Sequence, residues 1–221
     1  MENNRTLYRQ VMDLILTARP GQPIYPVAIK ATLKLKTTRN ITKILNRVAK
    51  NPNNKYGLRK YKAGVYYSIH NKGEKYEGLD GTERIFDYKE YLRTSMLFDL
   101  KTGKRIGFEC GDSYYNHIGL TTQVPNVKTI ITNKPINENI IKDNTLALRS
   151  LVRVTGNNFE LLRVLYVLEH LREVMDLNDW WGDVMLELIN ELSEKERDRI
   201  IKTIESKRDD IYDKLLELLR R

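Results

Sequence analysis

The sequence predicts an α+β protein: a small N-terminal module of helices and a hairpin, then a mixed α/β segment, then a helical C-terminal region. Three observations point there. Helix-spaced apolar residues before residue 50 give way to two short aromatic and β-branched runs. Short β-like runs separated by turn residues fill roughly 82–155, and a leucine-rich helical stripe begins after Asn157. With 41% hydrophobic and 30% charged residues among 221, the chain has enough apolar side chains for a core and is not of disordered composition.

Leu7, Val11, Leu14, Ile15 and Ala18 make the apolar stripe of a first helix, which Pro20-Gly21 ends. Pro23-Ile24-Tyr25 has β character, and Pro26 suits the first turn of a second helix reaching about Leu33. Thr37 and Thr38 are N-cap candidates for a third helix. Its buried side would carry Ile41, Ile44, Leu45 and Val48, and Asn51-Pro52-Asn53-Asn54 would stop it. Tyr56–Tyr61 and Gly64–Ile69, joined by Lys62-Ala63-Gly64, read as a hairpin. Helix, short strand, helix, helix, hairpin is the element order of a winged helix-turn-helix. We expect this domain over residues 1–72, a polar linker over Asn71–Gly81, and a second domain over 80–221.

In the second domain, Ser95–Leu100 and Lys104–Cys110 read as strands around a Lys101-Thr102-Gly103 turn. Asp112 or Ser113 would cap a short helix ending near Gly119, with further strands over Val127–Thr132 and Leu146–Val154. The region is mixed to about 155 and helical after 156. Phe159, Leu162, Leu165, Leu168, Leu171 and Met175 form one stripe, and Val184, Leu188 and Ile189 another. Ser193-Glu194-Lys195-Glu196 is a capping box opening a final helix whose inner side is Ile200, Ile201, Ile204, Ile211, Leu215 and Leu218.

Charge is unevenly placed. Residues 1–70 hold fourteen Lys and Arg against two acids, Glu2 and Asp13, whereas the remainder holds 24 basic and 27 acidic residues. Concentrated positive charge is the footprint of a polyanion-binding module. On the third helix, Arg39, Lys43, Arg47 and Lys50 share a face opposite the isoleucines, flanked by Asn40, Thr42 and Asn46. Such a helix suits the major groove of double-stranded DNA, with long cations for phosphates and forked or amide side chains for base edges. Thr38, Arg39, Asn40 and Lys43 are expected to read bases, because the start of a recognition helix lies deepest in the groove. Arg47 and Lys50 are expected on the backbone. The alternative, an ordinary solvated face, normally mixes signs, and this helix has no acid between Thr37 and Lys50. Lys55, Arg59, Lys60 and Lys62 add charge to the hairpin, interleaved with Tyr56 and Tyr61; as a wing they would lie over phosphates or the minor groove. The tyrosines could instead pack on the domain core, the preferred reading for Tyr66 and Tyr67.

Candidates for catalysis are thin. His70, His117 and His170 are scattered, without metal-ligand spacing. Cys110 is the single cysteine, which excludes a disulfide framework, and its β-like apolar setting suits a buried thiol. Gly111-Asp112-Ser113 suggests a nucleotidyltransferase loop, but the downstream Asp-x-Asp pair that would hold magnesium is missing. No glycine-rich phosphate cradle is present either. We expect no enzyme activity, no cofactor and no metal. Trp180-Trp181 reads as core packing, with one ring a candidate partner contact. No run of about eighteen apolar residues exists, and the start does not read as a secretion signal, so a cytoplasmic, membrane-free protein is expected.

Gly119-Leu120-Thr121-Thr122-Gln123-Val124-Pro125-Asn126, preceded by Gly107-Phe108-Glu109-Cys110-Gly111, resembles the AbiEi-type antitoxins of abortive-infection E systems. The N-terminal pattern closing on Gly64-Val65-Tyr66 also fits that family. The resemblance implies autorepression of an operon through promoter inverted repeats. It implies a C-terminal portion, after Asp80, that counters a nucleotidyltransferase-type toxin without a stable complex (a type IV system), in defence against bacteriophage. It assigns no neutralising residue. A stand-alone winged-helix regulator, with a ligand-sensing or dimerising C-terminal domain, is the alternative. With no long heptad seam, a monomer binding two half-sites side by side is the expected state on DNA.

Overall fold

The computed structural model describes residues 6–51, 53–71, 74–75, 86–136, 141–142, 144–207 and 209–220. They form α helices, one four-stranded sheet and two small hairpins, an α+β architecture. The chain divides into two units, one running to Ser95 and including Asp99–Gly103, the other holding Met96–Phe98 and everything from Lys104.

In the first unit, α1 (Leu7–Thr17) starts at Thr6, whose hydroxyl accepts from Arg9 N, and buries Val11, Met12 and Ile15. Ile24 makes an isolated antiparallel bridge with Tyr66. Pro26 opens α2 (Pro26–Thr32), where its missing N–H costs no helical bond. α3 (Arg39–Ala49) buries Ile41, Leu45 and Val48 of the expected stripe, while Ile44 packs against the same core only half-buried. Thr38 occupies its N-cap position without a side-chain cap bond; the Thr37 hydroxyl accepts from Arg39 N at 3.2 Å instead. After α3, Asn54 braces the chain both ways: Oδ1 accepts from Leu58 N at 2.9 Å, and Nδ2 donates to Leu58 O at 3.0 Å. β1 (Leu58–Lys62) and β2 (Val65–Ser68) then pair antiparallel, with Lys60 opposite Tyr66. Gly64 takes φ +75° at the turn, where a side chain would be strained. Val11, Ile15, Ile41, Leu45, Leu58 and Tyr66 are buried together.

The expected linker is not all linker. β3 (His70–Asn71) and β4 (Glu74–Lys75) pair antiparallel, and residues 76–85 lie outside the described residues. Nor does the first unit stop at 72. Phe86 stacks on Tyr61 of the hairpin at 4.0 Å between ring centroids, and Tyr91 joins them at 5.5 Å from Tyr61. Aromatic contact therefore carries the unit into α4 (Tyr88–Leu97). That helix also corrects the strand expected over Ser95–Leu100. Ser95 to Leu97 close the helix, the Ser95 hydroxyl donating to Leu92 O, and Phe98 forms an isolated bridge with Arg105 rather than a strand.

The second unit has a sheet ordered β5-β6-β8-β7, from β5 (Gly107–Cys110), β6 (Lys128–Thr132), β7 (Ile141–Lys142) and β8 (Thr145–Arg149). β6 and β8 run parallel, and the outer pairs antiparallel. α5 (Asp112–His117) follows β5 directly, starting after Gly111. β8 stops at Arg149, short of the expected Val154, and Leu151 beyond it stands fully exposed. Val154 is buried again, tied through its N–H and C=O to the Asn133 amide at 2.8 and 2.7 Å rather than to a strand.

The helical end comprises α6 (Phe159–His170) with a 3-10 turn to Glu173, α7 (Trp181–Asn190), α8 (Glu194–Glu205) and α9 (Asp210–Leu219). The single final helix expected after Ser193 is thus two. Asp209 accepts from Ile211 N and caps a new start, a break that no Gly or Pro marks. The stripe ending at Met175 is shortened too: Met175 is 68% exposed, outside α6. Val164, Val167, Leu168, Met185, Ile189, Ile200, Ile204 and Leu215 fill the core between these helices. No helix among the described residues is long and apolar enough to cross a membrane.

Candidate nucleic-acid interface

From Leu14 to Asn71 the chain contains twelve Lys and Arg and no acid. α3 carries the densest part of that stretch. Its buried residues face the core, leaving Arg39, Asn40, Lys43, Arg47 and Lys50 exposed and Thr38 and Asn46 half-buried. Arg39, Lys43, Asn46 and Lys50 succeed one another by three or four residues and form a line along the helix. Arg47 lies toward α1, its guanidinium 5.4 Å from the centre of the Tyr8 ring.

The hairpin joins this line at one place. Lys60 Nζ donates to Asn46 Oδ1 at 3.1 Å, and Tyr66 Oη donates to the same oxygen at 3.0 Å. Tyr66 is fully buried, and burial pushes its phenol above the ordinary tyrosine range; like any tyrosine at neutral pH it is protonated and can donate. The other hairpin cations diverge. Lys55 sits 5.1 Å from the Tyr56 ring, and half-buried Arg59 reaches back toward Leu58 O. Lys62 donates to Tyr91 Oη and stands over that ring at 4.4 Å. The structure thus brings Arg39, Lys43, Asn46, Lys50 and Lys60 onto one surface and engages Lys62 elsewhere.

Sequence reading misses Tyr66 as the support of Asn46, Tyr8 as the platform for Arg47, and Tyr91 as the partner of Lys62. An aromatic near a cation is a weak signal when the two are 29 residues apart, as Lys62 and Tyr91 are.

Of the residues weighed for catalysis, Cys110 and His170 are held in packing contacts. Cys110 is fully buried, and loss of solvent pushes its thiol up to about 12, away from the reactive thiolate. His170 stacks on Tyr166 at 4.1 Å, with Nδ1 2.8 Å from Tyr166 O. His117 ends α5, and the side chain of His70 lies outside the described residues. Gly111-Asp112-Ser113 forms the turn from β5 into α5. Among the described residues, no three His, Cys, Asp or Glu gather where a metal ion could be held. Trp181 packs on the helical core, while Trp180 is 57% exposed beside a shallow cavity shared with Asp183, Lys214 and Glu217.

Gly119–Asn126 leaves α5 and lies against the segment after α6. Thr121 bridges Leu177, its hydroxyl donating to Met175 O at 2.7 Å, and Asn178 Nδ2 donates to Gly119 O. Gly119 takes φ +78° at the helix exit. No family model, curated protein or solved structure matches this chain.

Proposed function

We propose that the first unit is a winged helix-turn-helix binding double-stranded DNA, with α2 and α3 as the helix pair and β1–β2 as the wing. The carrying observation is the exposed, acid-free face of α3, with cations at Arg39, Lys43 and Lys50 and the hairpin bonded along one side. A helix presenting this face in the major groove places Arg39 and Asn40 toward base edges and Lys50 near phosphates. Lys43, expected from the sequence among the base readers, is assigned to a phosphate here, because its ammonium is a point charge rather than a fork.

On this reading the protein is an autorepressor acting on inverted repeats upstream of its own reading frame. The second unit counters a nucleotidyltransferase-type toxin. Support for that second role is the resemblance of Gly107–Gly111 and Gly119–Asn126 to AbiEi-type antitoxins, both stretches being part of the second unit.

Gel-shift titration of the full chain on the upstream duplex tests the DNA role. Arg39→Ala is expected to weaken binding by about 1–3 kcal/mol and to blur sequence preference. Wild-type affinity and selectivity in that variant would remove α3 from the interface. Co-expression with the neighbouring toxin tests the second role, using an Arg39→Ala/Lys43→Ala chain that no longer represses. Rescue by that chain is expected; failure to rescue would reduce the protein to a transcriptional regulator.

A further inference from the structure

The two hydrogen bonds on Asn46 fix more than the hairpin. Lys60 Nζ has donors and no lone pair, so the amide atom facing it at 3.1 Å is the carbonyl oxygen, and the orientation of the amide is settled chemically. An amide oxygen accepts two hydrogen bonds through its two lone pairs, and Lys60 and Tyr66 use both. What Asn46 has left is its Nδ2 group, with no partner among the described residues. It sits on a half-buried residue in line with Arg39, Lys43 and Lys50.

An unengaged asparagine reads adenine with both ends of its amide, accepting from N6 and donating to N7. Asn46 has lost the accepting half of that pair. Its two remaining hydrogens match an edge made only of acceptors, and guanine presents two neighbouring ones, N7 and O6. We propose that Asn46 is a donor-only specificity residue: its oxygen pins the hairpin to α3, and its Nδ2 selects guanine over adenine at one base pair of the operator. The proposal rests on α3 being the DNA-reading helix.

Tyr66 offers an unusual control. It is fully buried and cannot touch a duplex, yet removing its hydroxyl frees one lone pair on Asn46 Oδ1. The experiment is selection from randomised duplexes by the full-length wild type, Asn46→Ala and Tyr66→Phe, followed by titration on the selected sites. Expected is a guanine in the wild-type site whose preference disappears in Asn46→Ala, with about tenfold weaker binding and other positions unchanged. Tyr66→Phe is expected to admit adenine at that same position. An adenine at the Asn46-dependent position of the wild type overturns the proposal. So does an unchanged preference in Asn46→Ala, which would leave Asn46 a brace only. If the wild type selects no duplex, the DNA reading itself fails, and that arm shows it without any variant.

Discussion

Lys43 and Lys62 are both exposed cations of the first unit, yet their surroundings give them different roles. Lys43 stands on the α3 line without a hydrogen bond or ion pair among the described residues, whereas Lys62 is bonded to Tyr91 and covers its ring. Each phosphate neutralised adds roughly 0.9 to the slope of log affinity against log salt. Lys43→Ala is therefore expected to lower that slope by about 0.9, and Lys62→Ala to leave it unchanged; equal losses in a salt titration would contradict the engagement of Lys62. Cys110 shows the same control by surroundings in the second unit. Burial raises its thiol from 9.0 to about 12, so above pH 9 the unfolded chain releases a proton that the folded chain keeps. Stability is then complete below pH 9 and falls as pH rises toward 12, by up to about 1.4 kcal/mol per pH unit from this one group. Tyr114 and Tyr166, also raised to about 12 by burial, add to the fall above pH 10. Urea unfolding between pH 8 and 10 is expected to show a flatter decline in Cys110→Ala than in the wild type.

Elements whose partners are local are legible in the amino-acid sequence. The α3 stripe of Ile41, Leu45 and Val48, the Pro26 helix start and the hairpin turning at Gly64 all declare themselves through spacing or backbone preference. The cationic face of α3 is legible for the same reason. Elements decided by distant partners are not. Residues 95–100 form a short apolar run that periodicity cannot assign to helix or strand, and the start of α4 is anchored by hairpin aromatics more than twenty residues earlier. The break between α8 and α9 is hidden because Ile204 and Ile211, on either side of a polar stretch, are seven residues apart and so stay in helical phase. Asn46 reads as one more groove residue because Lys60 and Tyr66, which claim its oxygen, lie 14 and 20 residues on. Two glycines show how differently an element can depend on a missing side chain. A Cβ on Gly107 in β5 would stand 2.5 Å from Met96 O and 2.6 Å from Ile131 O, both backbone atoms that cannot swing aside. A Cβ on Gly119 would meet nothing within 4 Å, leaving only the cost of its φ of +78°. Gly119→Ala is expected to cost about 1 kcal/mol, and Gly107→Ala about 3 kcal/mol or more. Equal shifts of the urea midpoint would mean that β5 is not held so closely.

At the scale of the whole molecule, the boundary of the first unit is set by aromatic contact rather than by the polar stretch in the sequence. Tyr61, at the hairpin end, is 43% exposed even with Phe86 stacked on it, and Tyr67 lies 5.3 Å from the same ring. A chain cut at residue 72 uncovers both tyrosines and removes Tyr91 from Lys62. A stacked aromatic pair contributes about 0.5–1.5 kcal/mol beyond its buried area, and a cation over a ring about 0.5–1 kcal/mol when exposed. Fragment 1–103, which keeps Phe86, α4 and the Asp99–Gly103 turn, is therefore expected to exceed fragment 1–72 in unfolding free energy by about 2 kcal/mol. The α3 face is the same in both fragments, since none of its supports lies beyond Tyr66. Below the unfolding transitions of both, the two fragments are expected to bind the upstream duplex with equal affinity and equal salt slope. A weaker slope in 1–72 would mean that α4 helps to hold the hairpin cations where they meet the duplex. Equal urea midpoints would place the boundary back at residue 72 and reduce the stacking on Tyr61 to a surface contact.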